Sequence, residues 1–297
     1  MTTSRTHRIA TKVGTLHVED RGPLPSASHG DQHRAATVLC WPSLFADART
    51  FDDLAQELGV DHRVVVVDGP GHGESGAPPA PFSLADCADA AMEICDHLAI
   101  DRATWVGTAW GGHVGVAAAL RHAERLDGLV VMNAPMAPWR GGDLALMRLS
   151  QVTLAVFGPR SFVARMIADK SIAATAGPDR AALVALVEAA LRRCDRRALR
   201  VSMASAMFGR EDLRPRLGDV RVPTVFVAGT DDALFPLDEA RAQASDIPGC
   251  RFVAVERSGH HSLLERPDVV LPAVRMLLSG TAAARAPQVT SASSTPA

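Results

Sequence analysis

Trp105-Val106-Gly107-Thr108-Ala109-Trp110-Gly111-Gly112 is the stretch on which the fold reading turns. It follows the apolar run Ala103–Val106 and opens the helix-forming stretch Gly112–Arg121, so a strand passes directly into a helix. Small residues two before and two after Ala109 allow a turn so tight that the central side chain projects above the sheet. A G-x-S-x-G turn uses that geometry to present a nucleophile. Here the central residue is alanine. A glycine-rich strand-to-helix turn can also bind phosphate, so the stretch alone leaves its chemistry open.

Outward from this turn, short apolar runs alternate with helical patterns. Leu16–Glu19, Thr37–Cys40, Arg63–Val67, Leu129–Met132, Thr224–Val227 and Phe252–Val255 join Ala103–Val106 as strands. Arg63–Val67 is β-branched after its first residue, as a strand buried on both faces should be. Helical stretches lie near Phe51–Leu58, Leu84–Leu98 and Pro267–Leu278. The alternation predicts an α/β fold with a mostly parallel central sheet flanked by helices. Pro135–Val220 breaks it, with no good strand and helix formers such as Asp179–Arg193. It reads as an inserted helical cap at 135–220 within a core of 8–134 and 221–279. The small, polar tail 280–297 reads as disordered, and Arg21–Ala36 as a loop.

The 297 residues are 47% hydrophobic with a net charge of −2, a balance that argues against nucleic acid as the main partner. Five cysteines, with no CxxC pair, argue against a disulfide framework or structural zinc and fit a reducing, cytoplasmic setting. No signal-peptide h-region follows the polar start, and no run reaches the ~18 apolar residues of a membrane span. No spacing suggests a metal, and no G-x-G-x-x-G with a following acid suggests a dinucleotide. The expectation is therefore no cofactor, no metal and no membrane or nucleic-acid partner. Tyrosine is absent altogether.

Three further motifs sharpen the turn. Asp68-Gly69-Pro70-Gly71-His72-Gly73 follows the buried strand; Gly229-Thr230-Asp231-Asp232, continuing to Pro236, follows a late strand; Ser258-Gly259-His260-His261 follows the last strand. Their order and spacing resemble the α/β-hydrolase superfamily, particularly its capped esterase, lactonase and meta-cleavage-product hydrolase branch. The resemblance covers roughly residues 8–279 and is strong for fold, weak for substrate. It implies that Ala109 stands at the nucleophile position, that Asp232 is the acid with Asp231 the runner-up, and that His260 is the base. His72 is expected to be a conformational, surface residue of its turn.

The chemistry has its own logic. A hydroxyl nucleophile needs a histidine within hydrogen-bond reach, the histidine needs a carboxylate to fix its tautomer, and the oxyanion needs preorganised N–H donors. One donor should be the backbone N–H of Trp110. In the family it resembles, the other usually follows a His-Gly pair after the third strand. This sequence departs there, reading Cys40-Trp41-Pro42-Ser43-Leu44-Phe45, so the resemblance implies Ser43 or Leu44, Pro42 having no N–H. Trp41, Trp139, Met147, Phe162, Phe208 and Phe235 are candidates for the lining of a hydrophobic substrate pocket. The run Arg192–Arg197 with Arg200 reads as a solvated helix face or, alternatively, as a site for an anionic group.

Alanine has no proton or lone pair to give, so three readings stay open. A parent hydrolase of a small hydrophobic ester or lactone carries serine at 109, and this chain is its inactivated form. Alternatively, a natural enzyme uses the His260–Asp232 dyad as a general base in lyase, decarboxylase or oxygenase chemistry, or the chain is a non-catalytic ligand-binding homologue. Relatives that open epoxides use an aspartate nucleophile and cap tyrosines, so the missing tyrosine excludes that mechanism.

Overall fold

The computed structural model describes residues 4–23, 36–159 and 162–285. Eight strands form one sheet: β1 Ser4–Thr11, β2 Gly14–Arg21, β3 Thr37–Trp41, β4 Arg63–Val67, β5 Ala103–Thr108, β6 Leu126–Met132, β7 Thr224–Gly229 and β8 Arg251–Val255. Their order is β1-β2-β4-β3-β5-β6-β7-β8. β1 pairs antiparallel with β2 and β2 with β4; every later pairing is parallel. The parallel strands β3–β7 are buried along their whole length because helices cover both faces.

The helices are α1 Asp52–Leu58, α2 Leu84–His97, α3 Trp110–Arg121, α4 Gly141–Phe157, α5 Phe162–Ser171, α6 Arg180–Arg193, α7 Arg196–Ser202, α8 Leu237–Ser245, α9 Ser262–Glu265 and α10 Pro267–Arg285. Alternate side chains of each strand feed opposite layers. In β6, Leu129 and Val131 join α2 and α3 on one face, while Val130 and Met132 join α1 and α10 on the other. Four helices, α4–α7, fill the interval between β6 and β7, and α7 runs on as a π-helical turn at Met203–Phe208. They share the apolar core of the sheet through Leu154, Val163, Leu191 and Leu199, and two polar contacts add to this packing. Arg193 Nε donates to Asp47 Oδ2 at 2.8 Å, and Ser202 Oγ donates to the Pro70 carbonyl at 2.7 Å.

Two expectations need correction. Ser4–Thr11 is a strand the sequence did not announce: it is an edge strand, exposed at most positions, and lacks an apolar run. The tail expected to be disordered from 280 is helical through Arg285. Leu278 and Thr281 are buried, and alanines with high helix propensity follow. Its remainder, 286–297, and most of the expected loop, 24–35, lie outside the described residues. Among the described residues no helix is long and apolar enough to cross a membrane.

Candidate active site

β5 ends and α3 begins at Ala109, whose φ of 48° and ψ of −105° lie where an L-residue is strained. Two hydrogen bonds and two close backbone approaches hold the turn. The Ala109 N–H donates to the Met132 carbonyl at 2.7 Å, and the Trp105 indole N–H donates to the Gly111 carbonyl at 2.9 Å. A Cβ on Gly107 would lie 2.2 Å from the Gly111 oxygen, and one on Gly111 only 1.8 Å from the Trp41 oxygen. Only glycine lets α3 rise this close to the neighbouring strand. The Trp110 N–H opens α3, where first-turn donors have no intrahelical acceptor.

The loop after β7 supplies Asp232, and the loop after β8 supplies His260. His260 Nδ1 lies 2.9 Å from Asp232 Oδ2. With its proton on Nδ1, the neutral ring presents Nε2 as an acceptor. The carboxylate also accepts from the N–H groups of Leu234 (2.8 Å) and Phe235 (3.1 Å) and from Asn133 Nδ2 (3.1 Å). Burial opposes ionisation of Asp232, but its pairing with His260 and these donors outweigh it and hold its pKa below the ordinary value. Asp231, one residue earlier, is exposed and bonded to Thr175 and Thr230 instead.

Glu265 fixes the histidine loop. Its oxygens accept from the N–H groups of Gly259 (2.9 Å), Ala173 (2.9 Å) and His261 (3.2 Å), while burial raises its pKa. His261 meets the His260 ring edge-on at 5.9 Å, and burial with the neighbouring His260 charge pushes its pKa down to about 3. The sequence reading missed Glu265 and Asn133. Asn133 sits just past β6 at φ 50°, a conformation asparagine adopts more readily than most residues, which was its one local signal. His72, expected at the surface, is buried, its ring 5.4 Å from that of Trp110.

Ala109, Trp110, His260 and both oxyanion candidates, Ser43 and Leu44, border one cavity of about 320 Å³. It lies between the C-terminal ends of the parallel strands and α4–α7, the place where open α/β sheets take ligands. Trp139 and Met147 line it; among the described residues Trp41, Phe162, Phe208 and Phe235 do not. Trp41 lies beneath the turn, stacked on Trp105 at 5.9 Å, and Phe235 packs on Phe226 at 6.3 Å. Phe162 is 66% exposed on α5, and Phe208 sits under the Arg148 guanidinium at 5.5 Å. Of the arginine run, Arg192 pairs with Glu188 and Arg193 with Asp47, and among the described residues none of the run borders the cavity; Arg210 does.

An alpha/beta hydrolase family model matches residues 29–273, most of the chain. The chain belongs to the alpha/beta hydrolase family. Among relatives of this hydrolase, RutD of Azorhizobium caulinodans, named as a carbamate hydrolase, is 30% identical over 265 residues, covering 83% of the chain and 95% of the relative. RutD of Pseudomonas savastanoi pv. phaseolicola is likewise 30% identical, over 84% of the chain and 95% of its own length. The enol-lactonase of Burkholderia xenovorans LB400 superposes with a TM-score of 0.82 at 24% identity, covering 92% of this hydrolase and all of that chain. A hydrolase from Pseudomonas aeruginosa PA01 superposes at 0.78 with 25% identity, over 92% of the chain and 98% of its own. Among the described residues no three His, Cys, Asp or Glu side chains cluster as a metal site would require.

Proposed function

We propose that this scaffold hydrolyses a small, largely apolar ester or lactone when serine stands at 109, and that the present chain, with alanine there, is its strongly impaired form. The observation that carries this is the meeting, at one cavity, of the strained turn at Ala109 with His260, whose Nδ1 is bonded to Asp232. In the serine form, His260 Nε2 takes the hydroxyl proton as Oγ attacks the carbonyl. The N–H of Trp110, with that of Ser43 or Leu44, stabilises the oxyanion. His260 returns the proton to the leaving alcohol and then activates the water that releases the acid. No cofactor enters these steps. In this reading 135–220 acts as a cap over 8–134 and 221–279, and the free cysteines suit a cytoplasmic setting.

Ala109→Ser tests this directly. It should raise hydrolysis of 4-nitrophenyl butyrate by about three to six orders of magnitude, with a pre-steady-state burst. A folded Ala109→Ser protein that remains silent across short-chain esters and lactones overturns the proposal.

A second reading is favoured by one feature: Asp232 and His260 are held by Asn133, Leu234 and Phe235, with no help from residue 109. The dyad is therefore complete as a general base in the chain as it stands. Ring opening of 5-nitrobenzisoxazole, which needs removal of one proton, reports on it. Turnover by the Ala109 protein that His260→Gln abolishes would support this reading; turnover unaffected by that change would end it.

A further inference from the structure

Arg210 is the least expected group around the cavity. It is buried, yet it borders a space that contains Lys170 and, among the described residues, no aspartate or glutamate. Its own contacts are all neutral. His113 Nε2 lies 2.7 Å from the Pro135 carbonyl and donates its proton there; Arg210 Nη1 lies 3.0 Å from Nε2 and 3.2 Å from Nδ1, the ring nitrogen left to accept. Arg210 Nη2 donates to the Ala137 carbonyl, and the guanidinium lies 5.8 Å from the centre of the Trp139 ring. Its Nε is buried without an acceptor.

These contacts aim the side chain but do not neutralise it. Burial lowers the Arg210 pKa to about 10, so it remains a cation at neutral pH. The same charge, added to burial, drives His113 well below its usual pKa and keeps that ring neutral. The charge of Asp212 acts on Arg210 from a distance, but that carboxylate is bonded to Arg214 and not to Arg210. A buried cation with an unfilled donor and no carboxylate in contact is costly unless a ligand supplies the anion. Most of the remaining lining is apolar, including Trp139, Met147, Val163, Ile167 and Met203. One buried charge among such side chains matches a monoanion on an apolar body, and the planar guanidinium matches a carboxylate.

We propose that Arg210 recognises a carboxylate carried by the substrate, so that the cavity takes an ester or lactone with a free carboxylate at a distance from the scissile bond. Arg210 is then a specificity-determining residue, held in aim by His113, which sits one helical turn after Ala109. The proposal rests on the functional reading above only in taking this cavity as the substrate site.

Binding to the Ala109 protein tests it without turnover. Monomethyl adipate and dimethyl adipate differ in one carboxylate and are compared by titration calorimetry at pH 7.5. The half ester should bind about tenfold tighter or better. Arg210→Gln should bring the two within about twofold, and Arg210→Lys should keep part of the preference, since it retains the charge. Circular dichroism establishes that each variant is folded, and the comparison of ligands on the unmutated chain needs no variant. Equal binding of both esters, absence of half-ester binding, or a preference that survives Arg210→Gln overturns the proposal. An Ala109→Ser protein that cleaves dimethyl adipate but shows no preference for the half ester would leave the hydrolase reading standing and remove this one. Arg210-dependent half-ester binding by a chain that stays silent after Ala109→Ser would do the reverse.

Discussion

Asp231 and Asp232 share a sequence neighbourhood but not an environment. Asp232 is buried beside His260 with two backbone donors and Asn133 on its oxygens, whereas Asp231 is exposed and bonded to two threonines. In an Ala109→Ser background, Asp232→Asn should reduce kcat by about four orders of magnitude, as loss of the carboxylate leaves the wrong histidine tautomer. Asp231→Asn should leave kcat close to unchanged; steady-state kinetics separate the two. The turn makes an equally local prediction. Gly111→Ala would place a methyl 1.8 Å from the Trp41 carbonyl oxygen, and neither backbone has room to yield. The variant should lose about 3 kcal/mol or more, seen as a lowered urea midpoint.

At the scale of elements, end signals explain why some boundaries were legible. Ser83 caps α2 by accepting from the Asp86 N–H at 3.1 Å, while the Asp86 carboxylate accepts from the Ser83 N–H at 2.9 Å. Ser83→Ala should cost about 1 kcal/mol, a fall in Tm of about 2 °C by calorimetry. β1 carried no such signal, since an edge strand needs neither an apolar run nor alternation to pair on one side. α10 ended later than composition implied, because burial of Leu278 and Thr281 carries the helix past Gly280. Most of the aromatic candidates for the cavity were misplaced for a related reason. Facing a cavity depends on helix rotation and packing, which hydrophobicity alone does not encode.

At the scale of the whole molecule, three buried histidines make stability depend on pH. His72, His113 and His261 all have depressed pKa values, burial being the first cause for each. Between the unfolded value of about 6.5 and the lower folded values, the unfolded chain binds more protons, so stability falls as the pH drops through this range. Each histidine contributes a slope of up to about 1.4 kcal/mol per pH unit there. His17 acts in the opposite direction, because its bond to Asp68 raises its pKa, but it is one group against three. Asp232, with its lowered pKa, adds stability that is present above about pH 4 and lost as the pH falls further. Urea midpoints should therefore fall from pH 7.5 to 5.5, and His261→Gln should flatten that slope. A midpoint unchanged over this interval would contradict the neutral burial of these rings.

The order of motifs along the chain determined the fold. The turn around Ala109, the acid after a late strand and the histidine after the last one are local patterns, and local backbone preference is enough to write them. The sequence also determined that no hydroxyl nucleophile stands at 109, since that depends on residue identity alone. Only the tertiary structure decided which of two adjacent aspartates meets His260, which aromatics face the cavity, and that Arg210 borders it without a carboxylate. Those outcomes depend on burial and on contacts between residues far apart in sequence. His113 and Arg210, 97 positions apart, meet only once β6 and the segment before β7 are packed against α3.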